Sequence, residues 1–239
     1  PDALHGGPVA ALIARASESH PSDQPMFVAR LTVELLRPVP LAALTVRTTM
    51  LRPGRRVQLV ETTVAAGDTG VARAVALRIR HADLPEARTT PEQVPWPDPE
   101  GLAARVESIP TADESLVAFH SHAVEMRFVA GHVTQPGPAT VWMRLRYPVI
   151  AGEVPTPLQR VAAVADFGNG VSSVLPWQRW TFINPDLTIG LHRLPGGEWV
   201  GLDAVTRIGA SGVGQAESLL FDQAGPLGRA VQSLFVDPV

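Results

Sequence analysis

Asp166 lies in the run Val161 to Gly168, where every neighbour is apolar or glycine. Two side-chain amides keep similar company: Gln232 follows Val231, on the strand face shared with Ala230 and Leu234, and Asn184 precedes Pro185. A carboxylate held by two amides can position a water and take its proton. That is the chemistry of hydrolysis without a covalent Ser or Cys intermediate. Taken singly, each residue has a plainer explanation. Structural carboxylates outnumber catalytic ones, a lone strand glutamine is usually a satisfied core amide, and Asn-Pro commonly marks a turn.

An internal repeat sets the three apart. At a constant offset of 156 residues, Leu31 to Arg37 lies over Leu187 to Arg193, Val57 and Glu61 over Val213 and Glu217, and Arg73-Ala74-Val75 over Arg229-Ala230-Val231. Equivalent positions share structural needs, so a polar-for-apolar difference points to function. At that offset Asp166 stands over Ala10, Asn184 over Val28 and Gln232 over Ala76.

The elements that must position these residues come twice. His5-Gly6-Gly7-Pro8 signals a helix start, and a mostly apolar helix follows to about His20. Strands are expected at Phe27–Leu36, Leu41–Leu51, Val57–Ala66 and Val71–Arg80, separated by turn residues. The second half is expected to place strands at His122–Val129 and Ala139–Tyr147. A helix over Pro157–Val174 and three or four further strands complete it. Between the halves six prolines, from Pro85 to Pro110, mark a linker. The expected division is 1–81, a linker over 82–113, and 114–239. The chain starts at Pro1 without methionine, so the first unit is expected to lack some N-terminal sequence, including its first strand.

Composition narrows the chemistry. The chain has 239 residues, 45% of them hydrophobic, which suits a real core. No cysteine is present, so disulfides, thiolate nucleophiles and zinc ribbons are excluded. All 20 basic residues are arginine, which excludes lysine Schiff-base and P-loop chemistry. A net charge of −3 offers no basic field for nucleic acid. No run approaches the ~18 apolar residues that span a bilayer, so no membrane role is expected and a cytoplasmic protein is. Gly209 to Val213 misses the last glycine of a nucleophile elbow, and no Gly-x-Gly-x-x-Gly follows a strand. His120 and His122 could share a strand face, but no third ligand is evident, so no metal is expected.

The assembled residues resemble the bacterial acyl-CoA thioesterase II family, whose members are double hotdog proteins. Carrying the resemblance are His5-Gly6-Gly7, Ala165-Asp166, Asn184 to Arg193, and Val231-Gln232. It implies an α+β double hotdog: two tandem units, each an antiparallel sheet wrapped around a central helix. It further implies hydrolysis of acyl-CoA thioesters within fatty acid metabolism, without a cofactor, by a monomer or homo-oligomer. In that family an Asp, a Thr and a Gln activate the attacking water, which by position makes Asp166, Asn184 and Gln232 the catalytic residues here. Asn184 in place of Thr, Ala165 in place of Ser and Ser233 in place of Glu mark a divergent member, of actinobacterial type. Asp186 and His192-Arg193 keep the family's pattern and are read as structural. The resemblance also assigns substrate binding to His5, Gly6 and Gly7, whose amides at the helix start would meet a developing oxyanion. Coenzyme A phosphates are expected to meet arginines, with Arg52, Arg55 and Arg56 among the candidates. The alternative is a non-catalytic acyl-CoA or lipid-binding double hotdog, favoured by the Thr-to-Asn change. A dehydratase would need an acid on a helix soon after Pro136-Gly137. A strand is expected there, so His132 is read as a hairpin residue.

Overall fold

A computed structural model describes residues 3–87, 89, 96–104 and 118–239. The first helix, α1 (Gly6–Ser19), begins where His5 turns its ring back to accept the Gly7 N–H, supplying an N-cap. Val9, Ala10, Ile13 and Ala14 then form a buried stripe. Four antiparallel strands follow: β1 (Met26–Leu35), β2 (Leu44–Arg52), β3 (Val57–Ala66) and β4 (Thr69–Arg80). In β3 the residues alternate between the helix side and the outer side, as a half-buried sheet requires.

The second half opens with the hairpin β5 (Val124–His132) and β6 (Gln135–Leu145), in which His132 pairs with Gln135. A capping box then starts α2 (Pro157–Ala165): Thr156 accepts from the Gln159 backbone while the Gln159 side chain accepts from the Thr156 N–H. A single turn, α3 (Gly168–Val171), precedes β7 (Trp180–Ile183), β8 (Asp186–Leu191), β9 (Val200–Ile208), β10 (Val213–Asp222) and β11 (Gly225–Pro238).

All strands join one sheet, in the order β2-β3-β4-β1-β8-β11-β10-β9-β6-β5, with β7 paired to β11. The offset of 156 maps β2 onto β9 and β3 onto β10 end for end. Where the units meet, β1 pairs antiparallel with β8, and Thr32 faces Thr188, its own repeat equivalent. A pseudo-twofold axis therefore passes through that pair, as in an isologous dimer interface. Under the sheet α1 and α2 pack against each other, one unit cradling each, which is the double hotdog architecture. The approach is close: a Cβ on Gly7 would lie 2.5 Å from the Ala163 carbonyl oxygen.

Four expectations need correction. The helix foreseen over Pro157–Val174 ends at Ala165 and restarts at Gly168. A run of Gly168, Asn169 and Gly170 holds a helix weakly, and a side chain at Gly168 would collide with Gln232 and Ser218, each 2.8 Å from its Cβ position. His120 and His122 do not share a strand face; they lie in a π-helical turn, Phe119–Ala123, and β5 begins after it. After the second helix come five strands, β7 to β11, where three or four were expected, because the Asn184-Pro185 break divides one line of chain into β7 and β8. The described part of the linker stretch docks on the second unit. Trp96 stacks on Phe221 with ring centroids 4.4 Å apart, Trp142 Nε1 donates to the Pro97 carbonyl, and Arg127 donates to that of Pro99. Residues 88, 90–95 and 105–113 of that stretch, and 114–117 of the second unit, lie outside the described residues. Among the described residues no helix is long and apolar enough to cross a membrane.

Candidate active site

The break between α2 and α3 places Asp166 as the C-cap of α2, 4% exposed, against the start of α1. A Cβ on Gly6 would sit 2.6 Å from Asp166 Oδ2 and 2.7 Å from Oδ1, so only glycine leaves room for the carboxylate there. Glycine at position 6 is thus required by the carboxylate and at position 7 by the helix contact.

Both predicted amides reach this carboxylate. Asn184 Nδ2 donates to Oδ1 at 2.8 Å, and Gln232 Nε2 donates to the same atom at 3.3 Å. Gln232 also spans the helix break. Its Nε2 donates to the Asp166 carbonyl at 3.1 Å, and its Oε1 accepts the Asn169 N–H at 3.1 Å. Two backbone groups freed by the break are satisfied by one buried side chain.

Asn184 owes its position to a gap in the strand. β7 and β8 trace one line beside β11, and Asn184-Pro185 interrupts it, since proline supplies no ladder donor. In the first unit the same place carries a bulge in β1 between Val28 and Arg30. Such irregularities re-aim side chains; the first unit turns in Val28, the second Asn184.

On the other side of Asp166, His5 Nδ1 lies 3.0 Å from Oδ2 and 3.0 Å from the Gly7 nitrogen that donates to it. One nitrogen cannot serve both neighbours at once. Unprotonated, Nδ1 accepts from Gly7; protonated, it donates to Asp166 and releases the Gly7 N–H. The His5 ring stacks on Phe167, centroids 4.8 Å apart, and tilts against Phe119 at 5.6 Å. His120 is the next ring out, 6.4 Å from His5. Burial, followed by the proximity of His5 and His122, lowers the His120 pKa from 6.5 to about 4, so it is a neutral imidazole at neutral pH.

The structure thus brings together the six residues to which the sequence assigns catalysis or substrate binding: His5, Gly6, Gly7, Asp166, Asn184 and Gln232; the candidate phosphate contacts Arg52, Arg55 and Arg56 lie at the β2–β3 turn instead. Sequence reasoning missed Gly168, which lets Gln232 reach the backbone, and the Phe119–His120 turn beside His5. For Gly168 a signal existed in Gly-Asn-Gly inside an expected helix. For the turn there was none. The residues read as structural do bind structure: Asp186 Oδ1 accepts the Ser233 N–H, and Arg193 makes a two-pronged bond to Asp222 and reaches the carbonyls of Gly225 and Pro226.

Comparison with known proteins decides the family. Residues 1–79 match the family model for the acyl-CoA thioesterase N-terminal domain, and residues 85–236 match that for the C-terminal domain. The chain belongs to the acyl-CoA thioesterase family. Solved structures share its fold at low identity. A conserved hot dog fold protein from Alicyclobacillus acidocaldarius is 19% identical with a TM-score of 0.75, over 99% of this chain and 88% of that one. An acyl-CoA thioesterase II from Mycobacterium marinum is 13% identical with a TM-score of 0.71, over 99% and 92%. A TesB protein from Mycobacterium avium subsp. paratuberculosis is 15% identical with a TM-score of 0.71, over 98% and 87%. Among curated proteins none matches. As a thioesterase family member, the chain has a site to be read as one for thioester hydrolysis.

Proposed function

We propose that the chain hydrolyses acyl-CoA thioesters to the free acid and coenzyme A, with Asp166 as the general base. One observation carries this reading: a buried carboxylate with Oδ1 clamped by two amides and Oδ2 facing the glycine start of α1. Water on the Oδ2 side attacks the thioester carbonyl carbon and gives its proton to Asp166. The carbonyl oxygen becomes an oxyanion at the helix start, where backbone N–H groups and the helix dipole favour negative charge. The C–S bond then breaks, and Asp166 returns the proton to the departing thiolate.

Asn184 and Gln232 are positioning residues in this scheme, since they act on the water through Asp166. Asn184 replaces the family's Thr yet still supplies a donor to the carboxylate, which supports hydrolysis over the binding-only alternative. His5 sets which amide is available. When Nδ1 carries hydrogen and donates to Oδ2, the Gly7 N–H is released toward the oxyanion.

The division into units 1–81 and 114–239 around a linker over 82–113 belongs to the same proposal, as does a cytoplasmic location. The pseudo-twofold sheet supports the first.

The test is thiol release from a panel of short- to long-chain acyl-CoAs, wild type beside Asp166→Asn. The chain has no cysteine, so every thiol detected is coenzyme A. The expected loss in kcat is ~10²–10⁴-fold, the range for a general base. Full activity in Asp166→Asn would end the mechanism.

A further inference from the structure

The internal repeat also matches two stripes on the outer face of the sheet, away from the helices. Across β7, β11 and β10, Ile183 pairs with Phe235 and Phe235 with Val213. All three are apolar side chains in solvent, 53%, 54% and 61% exposed. At the offset of 156 they stand over Phe27, Ile79 and Val57, which pair in the same way across β1, β4 and β3. Ile79 is 42% exposed. The chain neighbours Val28, Arg78, Leu234 and Val236 are buried, so both stripes point outward.

Single exposed apolar residues are ordinary; a cross-strand row of three, at equivalent places in both units, is not. One row further in, the units differ. Leu59 faces Leu77 in the first, where Gln215 faces Ser233 in the second. The outer face thus accepts polar residues, yet both stripes are apolar. The pseudo-twofold axis at Thr32 and Thr188 relates them. Phe27 lies five residues before Thr32 and Ile183 five before Thr188, on antiparallel strands. The stripes therefore sit on opposite sides of the axis, each about 17 Å from it along the strands.

Charge distinguishes the two sides. On its outer face the first unit carries Arg30 and Arg47 where the second carries Asp186 and Asp203. Among the described residues no carboxylate pairs with either arginine, and no arginine with either aspartate. A second chain stacked unit on like unit would set arginine against arginine and aspartate against aspartate, which opposes association. Stacked first unit on second, it sets arginines over aspartates and stripe over stripe, and a twofold axis repeats the contact. We propose that this outer sheet face docks a second copy of the chain, in a twofold dimer that lays the first unit of each copy on the second unit of the other. The stripe of β1, β4 and β3 in one copy then meets the stripe of β7, β11 and β10 in its partner. Asp166 and Gly6 belong to the helices under the sheet, so dimerisation is measured independently of turnover.

The experiment is sedimentation velocity of the full chain at micromolar concentration, comparing wild type, Ile79→Arg, Phe235→Glu and an equimolar mixture of the two variants. Wild type is expected to sediment as a dimer. Each contact uses position 79 of one copy and position 235 of the other. Either variant alone therefore buries an unpaired charge at both contacts and should weaken the dimer roughly 100-fold or more. The mixture should dimerise again, because one contact is wild type and the other pairs arginine with glutamate. In a dimer of like units on like, mixing restores nothing. Cooperative melting checks the fold of each variant. Where a charged variant fails that check, Ile79→Thr and Phe235→Thr, which suit an exposed strand, should each weaken the dimer roughly 10-fold. A monomeric wild type, a folded variant that dimerises as wild type does, or a mixture that stays monomeric overturns the proposal.

Discussion

Gly6→Ala adds one methyl group at the point where the two helices bring base and helix start together. The new Cβ would lie 2.6 and 2.7 Å from the Asp166 oxygens, where ordinary contact begins near 3.4 Å. The carboxylate must retreat by roughly 0.8 Å, a displacement that costs on the order of 10²-fold when it misplaces a reacting group. Retreat also disturbs the bonds from Asn184 and Gln232, since both end on Oδ1. The effect on folding is smaller: overpacking costs about 1–3 kcal/mol, and alanine returns up to ~1 kcal/mol of helix propensity. Gly6 is not among the positive-φ residues, so backbone strain adds nothing. Thiol release should therefore show kcat reduced about 100-fold in a protein that still melts cooperatively. Activity within threefold of wild type, with the fold intact, would mean that the chemistry does not happen between Gly6 and Asp166.

Gln232→Leu removes the side chain that bridges the helix break, leaving the Asn169 N–H and the Asp166 carbonyl unsatisfied in the interior. Denaturant titration should show a loss of about 1–3 kcal/mol, together with a fall in kcat; an unchanged midpoint would contradict the bridge. Burial works to raise the Asp222 pKa, but the Arg193 guanidinium and the N–H groups of Gly196 and Ala224 outweigh it and hold the carboxyl below its ordinary value. Stability from such a group is present above the unfolded-state pKa of about 4 and is lost as pH falls through the folded value. Melting temperature should therefore drop in acid below about pH 4, and less steeply in Asp222→Asn. For His120 the sign is the same for a different reason: its folded pKa of about 4 lies below 6.5, so the unfolded chain binds more protons in between. Melting temperature should decline from pH 6.5 toward pH 4, and His120→Phe, beside Phe119, should flatten that decline; identical slopes in both proteins would argue against a buried neutral ring.

How much was legible in the sequence can be judged from single elements. β3 was expected over Val57–Ala66 and is found there, because period-two alternation between two turns leaves little choice. The offset of 156 carried further: it placed Asp166, Asn184 and Gln232 against apolar partners before any distance was known. What stayed hidden depends on contacts distant in sequence. The break after Ala165 exists because Gln232, 66 residues on, replaces the missing helical bonds. The turn at Phe119–Ala123 packs against His5, more than a hundred residues away, and no local pattern announces it. The proline-rich stretch read as a linker because prolines break helices, yet Trp96 and Pro97 dock on rings contributed by β6 and β10.

The register of Thr32 opposite Thr188 has a consequence for the protein in dilute solution. Two separate copies of a single unit, meeting at such an axis, would hold base and helix start together only while associated, and would lose the site on dilution. Here both halves belong to one polypeptide, so the covalent connection fixes their local concentration and dilution cannot separate them. Symmetry is relaxed as well. A homodimer repeats every mutation at both of its helix junctions, whereas a tandem chain can specialise one junction and let the other drift, as Ala10, Val28 and Ala76 have done. Active-site titration should accordingly count one equivalent per chain, at any protein concentration.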